Sequence, residues 1–115
     1  MDWGEGVDMK NEKVYNKLVR DRILEIIDES GKESSFHLAN AKEYQEELLK
    51  KVMEELEEFK ENPCEEEMAD IFEVLEALMK FHNLDEDRLL EIKAEKVKKR
   101  GAFEKRIILE KVCER

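Results

Sequence analysis

The sequence predicts an all-α fold: a small helical bundle built on an antiparallel helical hairpin, with a short extended C-terminal segment. Charged residues make up 45% of the 115 positions and aromatic residues only 7%, and there are one proline and four glycines. Such a composition favours helices over a β-sandwich or a barrel. Apolar residues amount to 41% of the chain, which is enough for one core, and they recur at the spacing of amphipathic helices.

The charge balance limits the classes of partner. The formal net charge is −10, from 31 acidic and 21 basic residues, and a field of that sign repels nucleic-acid phosphates. We therefore expect no stable nucleic-acid binding, whereas a small phosphorylated molecule is compatible if cations lie between carboxylates and phosphates. Neither a signal segment nor a stretch of membrane-spanning length is evident, and two cysteines do not form a disulfide framework. A cytoplasmic protein is the resulting expectation.

The first part of the chain is polar and aperiodic. We expect residues 1–13 to form a flexible tail that precedes a single helical domain at 14–115. A first short helix, with apolar residues at Ile23, Ile26 and Ile27, is expected to end at Gly31, because glycine tolerates the left-handed conformation that follows many helices.

Two longer helices form the predicted hairpin. The first runs from about Ala41 to Glu61, and Asn40 with Glu43 forms a capping box before it. Asn62 and Pro63 are predicted to be the N-cap and the first residue of the next helix, which extends to about residue 81. The apolar positions are Leu48, Leu49, Val52, Met53, Leu56 and Phe59 on one helix and, predicted to face inward, Met68, Ile71, Phe72, Leu75, Leu78 and Met79 on the other.

The rest of the chain is more basic. A break at residues 82–85 precedes a fourth helix that ends at Gly101, and residues 106–109 are predicted to form a short strand or an extended arm. A domain of this length buries a limited fraction of its surface. We therefore expect a homodimer or a larger homo-oligomer.

Spaced acidic residues lie on one flank of the apolar stripe in both hairpin helices. At about 100° per residue, Glu55 and Glu58 lie on this flank of the first helix, and Glu67 and Asp70 on that of the second. Glu54 is predicted to point into solvent. Antiparallel packing brings the two pairs together, and four carboxylates would repel one another without a cation. Mg²⁺, or Mn²⁺, suits such an all-oxygen site, although a plain solvated face explains the same spacing.

Three segments carry a family resemblance. Residues 15–21 read YNKLVRD, the pairs Glu55-x-x-Glu58 and Glu67-x-x-Asp70 follow, and residues 96–106 contain K-x-x-x-R-G-x-F-x-K. In this order they resemble the MazG-like superfamily of all-α nucleoside triphosphate pyrophosphohydrolases, in particular its short stand-alone members. The link from Glu58 to Glu67 is short for that superfamily, so a register with Glu54 and Glu57 is an alternative.

The resemblance implies an activity and a set of site residues. The activity is Mg²⁺-dependent hydrolysis of nucleoside triphosphates to monophosphates and pyrophosphate, as housecleaning of non-canonical nucleotides. The implied metal ligands and catalytic residues are Glu55, Glu58, Glu67 and Asp70. The implied substrate-binding residues are Asn16, Lys17, Arg20, Lys96 and Arg100.

Several alternatives to these assignments stay open. Basic residues at the C-terminal end of a helix stabilise it by complementing the helix dipole, and this role alone would explain Lys96 and Arg100. The same fold would suit phosphoribosyl-ATP pyrophosphohydrolase, a biosynthetic enzyme of the superfamily. A non-catalytic helical interaction module, with solvated acids, is an alternative of a different class.

Overall fold

The chain forms four α-helices in the computed structural model, which describes residues 12–115. Residues 1–11, most of the predicted tail, lie outside this range. No strand occurs in the described range, so the all-α prediction is confirmed, and residues 106–109 do not form the strand that was one of their two predicted states. The helices are α1 (Ile23–Glu29), α2 (Ala41–Glu61), α3 (Glu65–Phe81) and α4 (Glu86–Arg100).

Helix α1 ends at the predicted glycine. The N–H of Gly31 donates to the carbonyl of Asp28 at 3.0 Å, and the N–H of Lys32 donates to the carbonyl of Ile27 at 3.2 Å. This pair of bonds is the Schellman motif, which needs a left-handed residue at its centre. Gly31 supplies that residue with φ of +82°, where a side chain would clash with the backbone.

The link between α2 and α3 differs in detail from the prediction. Asn40 caps α2 as predicted, because its side-chain oxygen accepts a hydrogen bond from the N–H of Glu43 at 2.9 Å. The prediction that Asn62 caps α3 is wrong. The N–H of Asn62 donates to the carbonyl of Glu58 at 3.0 Å, so this residue completes the last turn of α2. Cys64 is the N-cap of α3 and makes no side-chain capping bond.

Helices α2 and α3 pack against each other and run antiparallel. Tyr44 near the start of α2 meets Phe81 at the end of α3, with ring centroids 5.4 Å apart. Near the linked end, acidic residues from the end of α2 lie beside residues from the start of α3. The buried apolar residues of the described chain are Leu48, Ile71 and Val74. The core therefore lies in the seam between these two helices.

A second apolar surface of the helix pair is exposed to solvent. We call it the outer face, and its exposed fractions run from 36% for Met68 to 68% for Met53. The prediction that Met68, Phe72 and Leu75 face inward is wrong for the single chain, because they lie roughly 100° around α3 from its buried side chains. The outer face consists of Leu49, Met53 and Leu56 on α2 and Met68, Phe72 and Leu75 on α3.

Helix α4 buries none of its side chains. It begins at the cap Asp85, whose carboxylate accepts a hydrogen bond from the N–H of Arg88 at 3.1 Å, and it ends before Gly101, as predicted. Every residue of α4 is exposed, and the molecule measures 70 × 31 × 26 Å. Within residues 12–115, no helix has both the length and the apolar character needed to cross a membrane.

Candidate metal centre and adjoining cavity

Four carboxylates meet near the linked end of α2 and α3. Each of Glu55, Glu58, Glu67 and Asp70 offers one oxygen, and these oxygens all lie within 4.8 Å of one another. We call this group the carboxylate cluster. The antiparallel packing causes the meeting, because each helix carries its two acids three residues apart and therefore on one face. The cluster contains the predicted pair on α2 and not the alternative register.

Glu55 is the most buried member of the carboxylate cluster. It is 6% exposed, and burial together with the hydrogen bond and the charge of Glu58 raises its pKa to about 7. Lys51 lowers the pKa of Glu55 only in part, since its ammonium lies 3.7 Å from the Glu55 carboxylate. Without a cation, this carboxyl therefore holds its proton up to nearly neutral pH.

Two buried carboxylate oxygens of the cluster have no hydrogen-bond partner. They are Oε2 of Glu55 and Oε2 of Glu67. Loss of solvent and the charges of Glu58 and Asp70 raise the pKa of Glu67 above its ordinary value. A buried polar atom without a partner costs free energy. The pair of unpaired oxygens therefore fits the approach of a cation between the helices.

Glu54 lies beside the cluster but is neutralised by two lysines. Nζ of Lys17 lies 2.8 Å from one oxygen of Glu54, and Nζ of Lys51 lies 3.4 Å from the other. Burial alone would raise the pKa of Glu54, but the bond from Lys17 and the charge of Lys51 outweigh it and lower the pKa. The prediction that Glu54 points into solvent is wrong, because Lys17 of the segment before α1 (residues 12–22, the N-terminal segment) contacts it on this side of α2.

The N-terminal segment also reaches Asp70 directly. Nη2 of Arg20 donates a hydrogen bond to Oδ1 of Asp70 at 2.7 Å. Lys17 and Arg20, both predicted to bind substrate, thus each contact a carboxylate of the helix pair. Lys17 contacts Glu54, beside the cluster, and Arg20 contacts Asp70, within it. Asn16, the third predicted residue of this segment, is exposed and adopts φ of 45°, a backbone state that asparagine tolerates better than most residues. It shapes the turn before Lys17.

A cavity of about 430 Å³ lies between the N-terminal segment and the α2–α3 pair. Such a volume is within the range of small-molecule sites, which start near 300 Å³. Glu55 and Asp70 of the carboxylate cluster line the cavity, together with Arg20 and Lys51. A ligand in this cavity would thus contact carboxylates and cations at once.

Comparison of this chain with protein-family models, with curated proteins and with solved structures finds no match. The function is therefore inferred from the side chains of the site. Those side chains provide an acidic cluster, two unpaired oxygens, a cavity and a border of cations.

The two predicted substrate residues of α4 are not brought to the cluster. Lys96 and Arg100 are exposed, and the hydrogen bonds and ion pairs of the described residues join neither of them to a carboxylate of α2 or α3. The ion pair of α4 is the local one between Arg88 and Glu91. The phosphate-binding role of Lys96 and Arg100 stays a prediction.

Several residues that line the cavity were not identified as site residues from the sequence, among them Lys51 and Tyr44. Lys51 and Tyr44 contribute to its wall together with Leu48 and Glu55. The signal was present, since these four residues are spaced i, i+4, i+7 and i+11 and so form one stripe on α2. Neither Tyr44 nor Lys51 is an acid, so the spacing of carboxylates that predicts the metal site does not include them.

Proposed function

We propose that this chain is a divalent-cation-dependent pyrophosphohydrolase of nucleoside triphosphates, of the MazG-like type, with a housecleaning role towards non-canonical nucleotides. The observation that carries the proposal is the carboxylate cluster beside a cavity that cations border. Four converging carboxylates, two of which carry a buried oxygen without a hydrogen-bond partner, supply the metal side of such a site. Arg20 and Lys51 supply the phosphate side.

The carboxylate cluster suits a hard cation. Mg²⁺ and Mn²⁺ prefer oxygen ligands, and Mg²⁺ keeps several waters beside one or two carboxylates and the substrate phosphates. Glu55, Glu58, Glu67 and Asp70 would hold it. When bound, Mg²⁺ would neutralise phosphate charge and lower the pKa of a bound water.

The side chains of the cluster then have two tasks in hydrolysis between the α- and β-phosphates. A carboxylate that is not fully engaged accepts the proton of the attacking water, whose oxygen bonds to a phosphorus of the α–β bridge. The bond from that phosphorus to the bridging oxygen breaks, and the products are a nucleoside monophosphate and pyrophosphate.

The cations that border the cavity explain why the substrate would be a polyphosphate. Arg20 is 2.7 Å from Asp70, and its guanidinium can present two parallel N–H groups to a phosphate. Lys17 and Lys51 flank Glu54 on the same side. These charges offset the repulsion between an acidic protein and an anionic substrate, and we propose that Lys96 and Arg100 add to them in the assembled protein.

We further propose a homodimer that buries the outer face. Six apolar side chains with these exposures present roughly 600 Å² in each copy, more than most monomers leave in one patch. Two such faces together would reach about the 1,200 Å² at which specific interfaces begin. Two α2–α3 pairs packed against each other through their outer faces would form a four-helix bundle.

We propose the cytoplasm as the compartment. Cys64 and Cys113 are free thiols in the described chain, and a reducing compartment keeps thiols in that state. The nucleotides on which a housecleaning enzyme acts are also found there.

The test is pyrophosphate release from a panel of canonical and modified nucleoside triphosphates, with and without Mg²⁺. Wild type is compared with Glu67→Gln, which removes one charged ligand at nearly constant shape. The control is Glu66→Gln, because the neighbouring side chain is exposed and outside the cluster. We expect release that needs Mg²⁺, is lost in Glu67→Gln and persists in Glu66→Gln.

Two other outcomes would assign a different function. Release from phosphoribosyl-ATP alone would make the chain the biosynthetic enzyme with the same chemistry. If the protein releases pyrophosphate from no substrate and calorimetry detects no Mg²⁺ binding, a non-catalytic helical interaction module is favoured.

A further inference from the structure

The cavity beside the carboxylate cluster changes character along its length. On α2, Tyr44, Leu48, Lys51 and Glu55 line it in one stripe. At a rise of about 1.5 Å per residue, Tyr44 and Glu55 stand roughly 16 Å apart along the helix axis. The stripe therefore runs from an aromatic and apolar end, near the start of α2, to a charged end at the carboxylate cluster.

Helix α3 repeats this gradient because it runs antiparallel to α2. Asp70 and Glu73 line the charged part, whereas Val74 and Ala77 line the apolar end. Leu18 and Val19 of the N-terminal segment also line the cavity. The apolar end is thus lined by both helices, and Ala77 has the smallest side chain among the residues that line the cavity.

The ring of Tyr44 is held in place by a neighbouring ring. It contacts Phe81 edge to face, at 5.4 Å between centroids and 76° between planes. This is a favourable arrangement of aromatic pairs, because the positive edge of one ring meets the negative face of the other. Tyr44 therefore presents a fixed aromatic surface at the apolar end of the cavity.

We propose that Tyr44 and Ala77 form the nucleobase subsite, so that the substrate lies along the α2–α3 seam with its phosphates at the carboxylate cluster. This inference rests on the proposed function and gives the substrate its direction. The phosphates belong at the end where Arg20 and Lys51 provide positive charge. The base is flat and largely apolar, and stacking on an aromatic side chain stabilises it by about 1–3 kcal/mol.

The experiment separates base binding from phosphate binding. Calorimetry with Mg²⁺ measures the dissociation constants of an α,β-methylene nucleoside triphosphate, which resists hydrolysis, and of inorganic tripolyphosphate, which has no base. The variants are Tyr44→Ala, Tyr44→Phe and Ala77→Phe, the last of which fills the apolar end while leaving Tyr44 in place. Thermal unfolding of each variant checks that the fold is retained.

We expect Tyr44→Ala to weaken binding of the nucleotide analogue by about tenfold or more, with tripolyphosphate binding changed less than about twofold. Tyr44→Phe keeps the ring and should stay close to wild type, whereas Ala77→Phe should weaken the analogue as Tyr44→Ala does. If Tyr44→Ala loses its fold, Ala77→Phe and Tyr44→Phe still decide the question.

Failure of this inference differs from failure of the proposed function. Wild type that releases pyrophosphate, with analogue binding unchanged in Tyr44→Ala and Ala77→Phe, overturns the base subsite alone. Equal weakening of the analogue and of tripolyphosphate also overturns it, because the substitutions would then act on the phosphate end. Wild type that binds neither the analogue nor tripolyphosphate overturns both proposals.

Discussion

The guanidinium of Arg20 donates a 2.7 Å hydrogen bond to Asp70, a member of the carboxylate cluster. The two residues lie 50 positions apart in the sequence, and their contact ties the N-terminal segment to α3. Both side chains are partly exposed, at 57% for Arg20 and 39% for Asp70. The cation that would meet the substrate is therefore paired with a carboxylate that would meet the metal.

This pairing predicts opposite effects of Arg20→Gln on metal and on substrate. Mg²⁺ affinity of the nucleotide-free protein should rise by up to about fivefold, because an exposed pair of this kind contributes up to about 1 kcal/mol. The kcat/KM for nucleoside triphosphates should fall about tenfold or more, since a charge-assisted bond to phosphate is lost. Calorimetry and initial rates measure the two effects.

Arg88→Gln is the matched control, because Arg88 is 59% exposed, pairs locally with Glu91 and does not line the cavity. It should change neither quantity by more than about twofold. Weaker Mg²⁺ binding in Arg20→Gln would mean that Arg20 supports the cluster and does not compete with the cation.

The raised pKa of Glu55 predicts how stability and metal affinity depend on pH. Between the ordinary value of 4.5 and about 7, the folded chain keeps a proton that the unfolded chain releases. The contribution of Glu55 to the free energy of unfolding of the metal-free protein therefore falls as pH rises through this window. Mg²⁺ must displace the same proton, so its affinity should rise with pH and level off above about 7.

Urea unfolding and Mg²⁺ titration at several pH values between about 5 and 8 measure both trends. Glu55→Gln, which cannot titrate, should flatten them. A metal-free wild type whose pH dependence matches that of Glu55→Gln would show that Glu55 ionises normally.

If the outer face forms the dimer interface, a single charged substitution within it should dissociate the dimer. Phe72→Glu should give a monomer in light scattering at micromolar concentration, because the buried carboxylate would have no partner in the apolar interface. Phe36→Glu is a close control, since Phe36 and Phe72 are both 63% exposed but Phe36 lies in the connector before α2. A wild-type monomer would contradict the proposed dimer.

Two consecutive leucines separate the core from the outer face. Leu48 is 2% exposed and Leu49 is 50% exposed. Leu48→Ala should lower the free energy of unfolding by about 2–5 kcal/mol, the usual cost of a cavity in a core. Leu49→Ala should lower it by less and should mainly shift dimer dissociation to higher protein concentration. Chemical unfolding at two protein concentrations distinguishes these effects, and equal losses would mean that both leucines belong to one core.

Local patterns in the sequence were sufficient for most helix ends, although not for the start of α3. Asn40 fixes the start of α2 and Gly31 the end of α1, because each satisfies backbone groups within its own turn. Which apolar residues are buried could not be read from the same patterns. Phe72 and Ile71 are equally apolar, and only the position of the packing partner leaves one exposed and the other buried.

The carboxylate cluster was predictable for a similar reason. Acids at i and i+3 on two antiparallel helices meet whenever the helices pack, so the grouping of Glu55 with Asp70 follows from periodicity. The position of Arg20 beside Asp70 does not, because it depends on the path of an irregular segment. Nor did the basic pattern of Lys96 and Arg100 determine where α4 would lie.

The three residues that link α2 to α3 have a consequence for acid–base chemistry. Glu54 and Glu55 are neighbours in the sequence, yet the pKa of the first is lowered and that of the second is raised. Adding or removing one residue in the link would shift the side of α3 that faces α2 by about 100° around the helix axis. Link length therefore determines which residues of α3 pack against Glu55, and with them the burial that raises the pKa of this glutamate towards neutrality.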